Sequence, residues 1–338
     1  MISKAFAPGL GIAAPAWLGG QRLRGLAVWV MTCMFQIAHA ASPAAKAPGT
    51  TQAPAADAIV VPSPTNAVQF RLYLNGSPEA AHLFNTFEVQ AYGETLLRSP
   101  DAASLKRSLL APASTAPMHN ILVDGEGPHL DPSNSMSVVE RASGPEWFFV
   151  SVDAAAAYRG RLKEYRRGIL FVEPDLFILH DHLVAEKPSL FQMVLHAPAA
   201  TQLDPIWRDL RLDSTNGGIR IHAPGQKQDP RFWRRMDASS DSILPGTAAM
   251  QLGPTNKLTV LEMLTVFALH QQGEKKDLAF KLLQSNTSVG ARIHRQGLPA
   301  LVAFRIDPAE LKPSLTGFAF SGPVGVDVFK PRRINGAR

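Results

Sequence analysis

The chain has 338 residues, of which 46% are hydrophobic, 18% charged and 8% aromatic, a composition that excludes a disordered protein and a bundle of membrane spans. Its formal charge of +6 falls to +3 without residues 1–40, because that segment carries Lys4, Arg22 and Arg24 and no acidic residue, which leaves 31 (34 less 3) basic against 28 acidic side chains. An excess of this size does not indicate a nucleic-acid-binding protein.

Residues 1–40 have the pattern of a secretory signal peptide. Arg22 and Arg24 precede the short apolar run 26–37 (LAVWVMTCMFQI), and Ala38-His39-Ala40 supplies a small-x-small cleavage site. The alternative is an uncleaved membrane anchor, although the run is short for a membrane span. Cleavage after Ala40 removes Cys33, the only cysteine, which excludes disulfides and cysteine catalysis from the mature chain. We therefore expect a periplasmic or secreted bacterial protein.

Residues 41–66 are rich in Ala, Pro, Ser and Thr without periodicity, which predicts a disordered linker, with ordered structure beginning near Ala67. Beyond it, apolar residues alternate with period two, as in 69–74 (QFRLYL) before Asn75-Gly76 and 87–92 (FEVQAY) before Gly93. Further strands are predicted at 121–123, 147–152, 168–172, 176–183, 190–195, 219–223, 258–269, 279–283, 301–306 and 317–320, and one helix at 99–110. Many short strands separated by turns predict an all-β fold over residues 67–335, an antiparallel β-sandwich or multi-sheet domain.

Several segments then follow one another in an order that resembles the heparinase II/III-like polysaccharide lyases. Residues 87–97 (FEVQAYGETLL) are similar to that family's SFxLxAxGExLL segment, and 119–125 (HNILVDG) to its HNTxxVDG strand. The similar segments that follow are 157–158 (AY), 166–172 (RRGILFV), 174–181 (PDLFILHD) and 195–196 (LH). The resemblance covers about residues 67–200. It implies the C-terminal β-sandwich of a family that cleaves uronic-acid polysaccharides by β-elimination.

The chain also departs from the family pattern. The resemblance implies a helical (α/α) toroid before the sandwich, which carries the family's catalytic tyrosine and a second substrate-contacting residue. Residues 1–66 are too few for a dozen helices, so we expect this chain to lack the toroid. The family's metal-bearing HxHxDxxSF becomes 79–87 (EAAHLFNTF), which retains one histidine, His82, one position out of register. The family's metal-binding aspartate falls on Ser99, with Asp101 two positions later.

β-Elimination from a uronate requires a group that neutralises the carboxylate, a base for the C5 proton and an acid for the leaving oxygen. From residue type and resemblance together, His82 and Tyr158 are predicted as catalytic residues. The predicted substrate-binding residues in the same part of the chain are Asn120, Arg166 and Arg167.

A structural zinc or calcium ion is predicted from the same resemblance. Its predicted ligands are His82, Asp101 and His119, of which His119 stands where the family places a metal-ligand histidine. The alternative for His119 is a core histidine that is hydrogen-bonded to a neighbouring loop.

Two further groups attract attention by residue type. His180 and His182 share a strand face, but Asp181, which points the other way, is the position shared with the family, so a strand edge is predicted there in preference to a metal site. Residues 229–235 (DPRFWRR) are predicted to form a loop in which Trp233 and Arg234 contact an acidic glycan by stacking and charge pairing. The alternative is a surface loop anchored by a buried tryptophan.

The predicted function is an exported domain that binds or acts on acidic polysaccharide, as an accessory or binding protein without a catalytic toroid. The alternative is an active polysaccharide lyase, either alone or with a helical-toroid partner supplied by another chain. A third alternative is the distal piece of a split gene. Neither a nucleic-acid partner nor a membrane span after signal cleavage is expected.

Overall fold

The computed structural model describes residues 58–62, 68–74, 85–97, 119–129, 136–198, 202–206, 209–223, 231–235, 247–274, 278–295 and 298–328. These ranges contain β-strands and one short 3₁₀ turn, Ala155–Tyr158, and no α-helix. Every strand pair within them is antiparallel. The predicted all-β antiparallel fold is therefore confirmed. A search of the same ranges finds no helix with the length and apolar character needed to cross a membrane.

The strands in chain order are β1 (Ala58–Pro62), β2 (Val68–Tyr73), β3 (Phe87–Ala91), β4 (Glu94–Leu97), β5 (Ile121–Val123), β6 (Ser137–Gly144), β7 (Trp147–Asp153), β8 (Leu162–Val172), β9 (Leu176–Ser189), β10 (Phe191–Pro198), β11 (Gln202–Ile206), β12 (Asp209–Asp213), β13 (Gly217–His222), β14 (Arg231–Arg235), β15 (Thr247–Pro254), β16 (Leu258–Gln271), β17 (Leu278–Gln284), β18 (Ser288–Arg295), β19 (Leu298–Arg305), β20 (Ser314–Leu315), β21 (Phe318–Ala319) and β22 (Val324–Val328).

An eight-stranded sheet, called the large sheet below, forms the centre of the fold, with the strand order β11-β12-β13-β16-β9-β8-β7-β6. The amino-terminal sheet has the order β1-β2-β3-β4, and a third sheet has the order β14-β15-β10-β5. The carboxy-terminal sheet has the order β17-β18-β19-β22, and β20 pairs with β21 in a small hairpin.

Both faces of the large sheet are covered. Ile169 and Phe177 point into a core shared with Phe70 and Phe87 of the amino-terminal sheet, and we call this the inner face. Leu170, Ile178 and Val266 point the other way, into a second core shared with the carboxy-terminal sheet, and we call this the outer face. A strand covered on both sides is apolar at nearly every position, which explains the unbroken buried run 176–183 in β9.

Two segments differ in the structure from what the sequence predicts. Strand β1 lies inside the segment predicted as linker and pairs with β2 along its whole length, because the β-branched run Ile59-Val60-Val61 suits a strand despite its Ala- and Pro-rich surroundings. Residues 231–235, predicted as loop, form the edge strand β14. The predicted signal peptide (1–40) and the predicted helix 99–110 lie outside the described residues.

Candidate functional site

Arg167 forms the centre of a sealed polar network on the inner face. Its side chain and that of Asp181, its cross-strand neighbour in β9, both have no exposed surface. Arg167 Nε donates to Asp181 Oδ1 at 2.7 Å and Nη2 donates to Oδ2 at 3.3 Å, which is a two-point pairing. Its Nη1 donates to the backbone carbonyls of Asn85 and His119 at 2.8 and 3.1 Å. Two of these four contacts hold β8 to β9, and the other two hold it to the loops that contain Asn85 and His119.

Aromatic rings enclose the same guanidinium. Its carbon lies 5.5 Å from the ring centre of Tyr165 and 5.8 Å from that of Phe87, within the range of cation–π attraction. Burial alone would lower the pKa of Arg167, but the charge of Asp181 outweighs it and raises that pKa further above its usual value. Arg167 therefore stays charged at any ordinary pH.

Tyr158 and Asn120 belong to the same buried layer. The Tyr158 hydroxyl donates to the carbonyl of Ile121 at 2.8 Å and to Asn120 Oδ1 at 3.1 Å, and Asn85 Nδ2 donates to the same Oδ1 at 2.8 Å. Tyr158 is fully buried, and burial raises the pKa of its hydroxyl. In this arrangement Tyr158 is a protonated donor that holds the start of β5, and its predicted catalytic role stays a prediction.

His119 has no exposed surface. Its ring stacks on Phe87, with ring centres 4.9 Å apart, and its Nδ1 accepts the backbone N–H of His196 at 3.2 Å. A neutral imidazole that accepts at Nδ1 carries its proton on Nε2. This geometry is that of a core histidine, the alternative left open by the sequence. The other two predicted metal ligands, His82 and Asp101, lie outside the described residues. In the ranges that the structure describes, no three His, Cys, Asp or Glu side chains form a group that could hold a metal ion.

A second polar group lies on the outer face, where Arg166, His182 and Glu262 stand side by side on β8, β9 and β16. His182 Nδ1 contacts Glu262 Oε1 at 2.5 Å, and His180 Nε2 contacts Oε2 at 2.7 Å. Each carboxylate oxygen therefore bonds one imidazole. The side chains of His180, His182 and Glu262 are between 7% and 10% exposed, whereas that of Arg166 is 26% exposed and pairs with Glu164 at 2.9 Å.

His180, His182 and Glu262 form a row on the outer face, called the outer row below. Its hydrogen bonds favour the charged forms of Glu262 and His182. Burial would raise the pKa of Glu262, but hydrogen bonds from His180 and His182 outweigh it and lower the pKa to about 2. Burial would lower the pKa of His182, but the hydrogen bond to Glu262 and its charge outweigh it and raise the pKa. Glu262 is thus a permanent carboxylate, and His182 is an imidazole inclined to hold a proton.

The structure separates residues that the sequence grouped together. Arg166 and Arg167, both predicted to bind substrate, point to opposite faces of the large sheet, so they do not converge on one ligand. The predicted strand edge at His180 and His182 is wrong, because β9 lies between β8 and β16 in the middle of the sheet. The predicted contacts Trp233 and Arg234 lie in the edge strand β14, of which the structure describes the backbone. Sequence reasoning missed Glu262, whose signal was its place as the only acidic residue in the apolar run of β16.

No protein-family model and no curated protein sequence matches this chain. Among solved structures, it resembles a heparan sulfate lyase from Pedobacter heparinus with a TM-score of 0.54 at 11% identity, over 72% of this chain and 40% of that one. It also resembles a heparinase III with a TM-score of 0.52 at 13% identity, over 70% of this chain and 39% of that one. The chain thus spans about two fifths of the length of these proteins. At such identities the likeness establishes a heparinase-like β-sandwich fold.

Proposed function

We propose that this protein is an exported accessory β-sandwich that binds acidic polysaccharide containing uronic acid. The observation that carries the proposal is the fold, which resembles that of a heparan sulfate lyase and of a heparinase III. The ordered sequence segments between residues 87 and 196 point independently to the same class of protein. We place the protein in the periplasm or outside the cell, in line with the signal-like pattern of residues 1–40.

Affinity electrophoresis tests this proposal. The purified chain should migrate more slowly in gels that contain heparin-like, hyaluronan-like or alginate polymer than in gels without polymer, and a neutral dextran should leave its mobility unchanged. Because charge attraction contributes, the retardation should weaken as salt is added. Equal mobility in all the acidic gels and the dextran gel would contradict the proposal.

The second candidate function is an active lyase. It is favoured by the resemblance of the fold to a heparan sulfate lyase and a heparinase III. β-Elimination breaks the C4–O bond of the uronate as a base removes the C5 proton, and it leaves a C4=C5 double bond that absorbs ultraviolet light. Incubation with the same polymers should then raise the absorbance. His82→Ala should abolish the increase if His82 is the base, as predicted, and Tyr158→Phe should do so if the Tyr158 hydroxyl is the acid.

Activity that depends on a helical-toroid partner is tested separately. A gentle pull-down from the exporting cell should recover a helical lyase chain, and the mixture of the two chains should produce the absorbance that neither gives alone. Recovery of no such chain would leave the accessory role without a catalytic partner. Elemental analysis of the purified protein, with and without His119→Ala, tests the predicted structural zinc or calcium.

A further inference from the structure

A small cleft opens on the outer face, between strands β6 to β9 of the large sheet and the end of β19. Its volume is about 20 Å³, which is room for about one water-sized group. Two arginines, two histidines, one serine and one glutamate provide its polar lining: Arg166, Arg305, His180, His182, Ser151 and Glu140. The predicted and described catalytic candidates of the inner face take no part in it.

Ser151 gives the cleft an unused hydrogen-bonding group. The residue is 5% exposed, and its buried Oγ has no hydrogen-bond partner among the described residues. A buried hydroxyl without a partner is destabilising, so it marks a place where a further polar group belongs. Ser151 stands opposite Gly168, which in turn stands opposite His180. Gly168 lines the cleft between them, and the edge of the Phe149 ring occupies the place that a side chain would take at this position.

Donors exceed acceptors around this space. Both carboxylate oxygens of Glu262 bond to His180 and His182, and the one lining carboxylate, Glu140, pairs with Arg305. The hydrogen-bonding groups that remain in the lining are a hydroxyl and cationic N–H groups. The oxygen atoms of an anion accept hydrogen bonds from such groups. Arg166 is the most accessible of these groups, with 26% of its side chain exposed. Within the described part of the chain it pairs with Glu164, which is itself 46% exposed and lies 3.6 Å from His182 Nε2.

We propose that this cleft binds one oxygen of an oxyanion, either the carboxylate or the sulfate group of an acidic sugar. The cleft has room for that one oxygen, so the rest of the charged group and the sugar ring lie at its mouth beside Arg166. Identification of the anion with a sugar rests on the proposed function. The cleft itself rests on the geometry of the outer face and on the unpartnered hydroxyl of Ser151.

Binding should strengthen as the pH falls. Burial would lower the pKa of His182, but the hydrogen bond to Glu262 outweighs it, so the imidazole gains its proton at a higher pH than a free histidine does and adds a positive charge to the lining. The charged groups that face His182 are Glu164, Arg166, Glu262, Glu140 and Arg305.

Calorimetric titration of the full chain with sodium glucuronate and with sodium sulfate tests the proposal. Arg166→Gln should weaken binding about tenfold and Ser151→Ala about threefold, since one charge-assisted and one neutral hydrogen bond are lost. The matched control is Arg211→Gln. Arg211 pairs with Asp213 at 2.9 Å, two residues along its strand, as Arg166 does with Glu164, but it lies outside the cleft lining. This variant should bind as the wild type does.

Unchanged binding in both cleft variants, or equal weakening in the control, would overturn the proposal, as would a cleft that takes up water only and binds neither anion. Affinity electrophoresis with polymer distinguishes a failure of the cleft proposal from a failure of the proposed function. A chain that is retarded by polymer, and whose Arg166→Gln variant is retarded equally, would contradict the cleft alone. A chain that binds glucuronate but is not retarded by any acidic polymer would contradict the polysaccharide function alone.

Discussion

The two faces of β8 and β9 carry the same kinds of side chain in opposite environments. On the inner face, Arg167 and Asp181 have no exposed surface, and the guanidinium donates four hydrogen bonds. On the outer face, Arg166 keeps a quarter of its side chain exposed and holds an exposed glutamate. Adjacent residues of one strand therefore serve different ends, one in packing and one at the surface. Asp181, the position in β9 on which the resemblance of the sequence rests, lies on the sealed inner face, so resemblance there reports on the fold more than on ligand contact.

Replacement of Arg167 should produce the largest effect. Arg167→Met leaves the buried carboxylate of Asp181 without its partner, and the free energy of unfolding should fall by about 3–5 kcal/mol. The same change on the other face, Arg166→Met, breaks an exposed pair and should cost about 0–1 kcal/mol. Urea denaturation of the two variants measures the contrast. The double variant Arg167→Met with Asp181→Leu should recover much of the loss, and equal losses in the two single variants would remove the distinction between the faces.

The outer row should make stability depend on pH. The pKa of Glu262 falls from 4.5 to about 2 on folding, so its contribution is fully present above about 4.5 and is lost as the pH falls towards 2. The pKa of His182 rises above 6.5 on folding, so its contribution is fully present below 6.5 and is lost as the pH rises through the folded-state pKa. The contribution of the row is therefore greatest between these limits.

Glu262→Gln should flatten that dependence by about 1–3 kcal/mol at its maximum. Urea denaturation of the variant and the wild type over a series of pH values provides the measurement. Parallel stability curves for the two proteins would show that the row does not couple protonation to folding. The inner pair offers the contrast, since the raised pKa of Arg167 keeps that residue charged throughout the series.

Tyr158→Phe should destabilise the fold less than Arg167→Met does, with a loss of about 1–2 kcal/mol. The variant leaves the carbonyl of Ile121 without the hydroxyl that donates to it at 2.8 Å. Thermal or urea unfolding measures the loss, and retardation by polymer should remain as in the wild type. Loss of polymer binding or of lyase activity at unchanged stability would instead support the catalytic role predicted from the sequence and would place ligand contact on the inner face.

Period-two alternation was enough to predict most central strands, because their apolar positions are dense and bounded by turns. It also predicted correctly that Asp181 points away from His180 and His182. The same rule, applied to Arg166 and Arg167, would have placed them on opposite faces. Resemblance to one family placed both in a single site and concealed that separation.

Long-range pairing was beyond local patterns. His182 contacts Glu262, which is 80 positions away in the sequence. No local sequence pattern predicts that β16 lies beside β9. Strand β14 was missed because a proline and three arginines in residues 229–235 are typical of a loop. Strand β14 forms because it pairs with β15 through backbone hydrogen bonds, which the amino-acid composition of the segment does not predict.

Gly168 gives the outer face a property that depends on a single methyl group. A Cβ at this position would lie 2.9 Å from Cε2 of Phe149 and 3.8 Å from Cβ of His180, so an alanine would displace the phenylalanine ring, which itself lines the cleft. Every charge on the face would remain in place. Gly168→Ala should therefore change the shape of the cleft without changing its charge, and sequences that keep the arginine and both histidines but not the glycine should differ in this cleft.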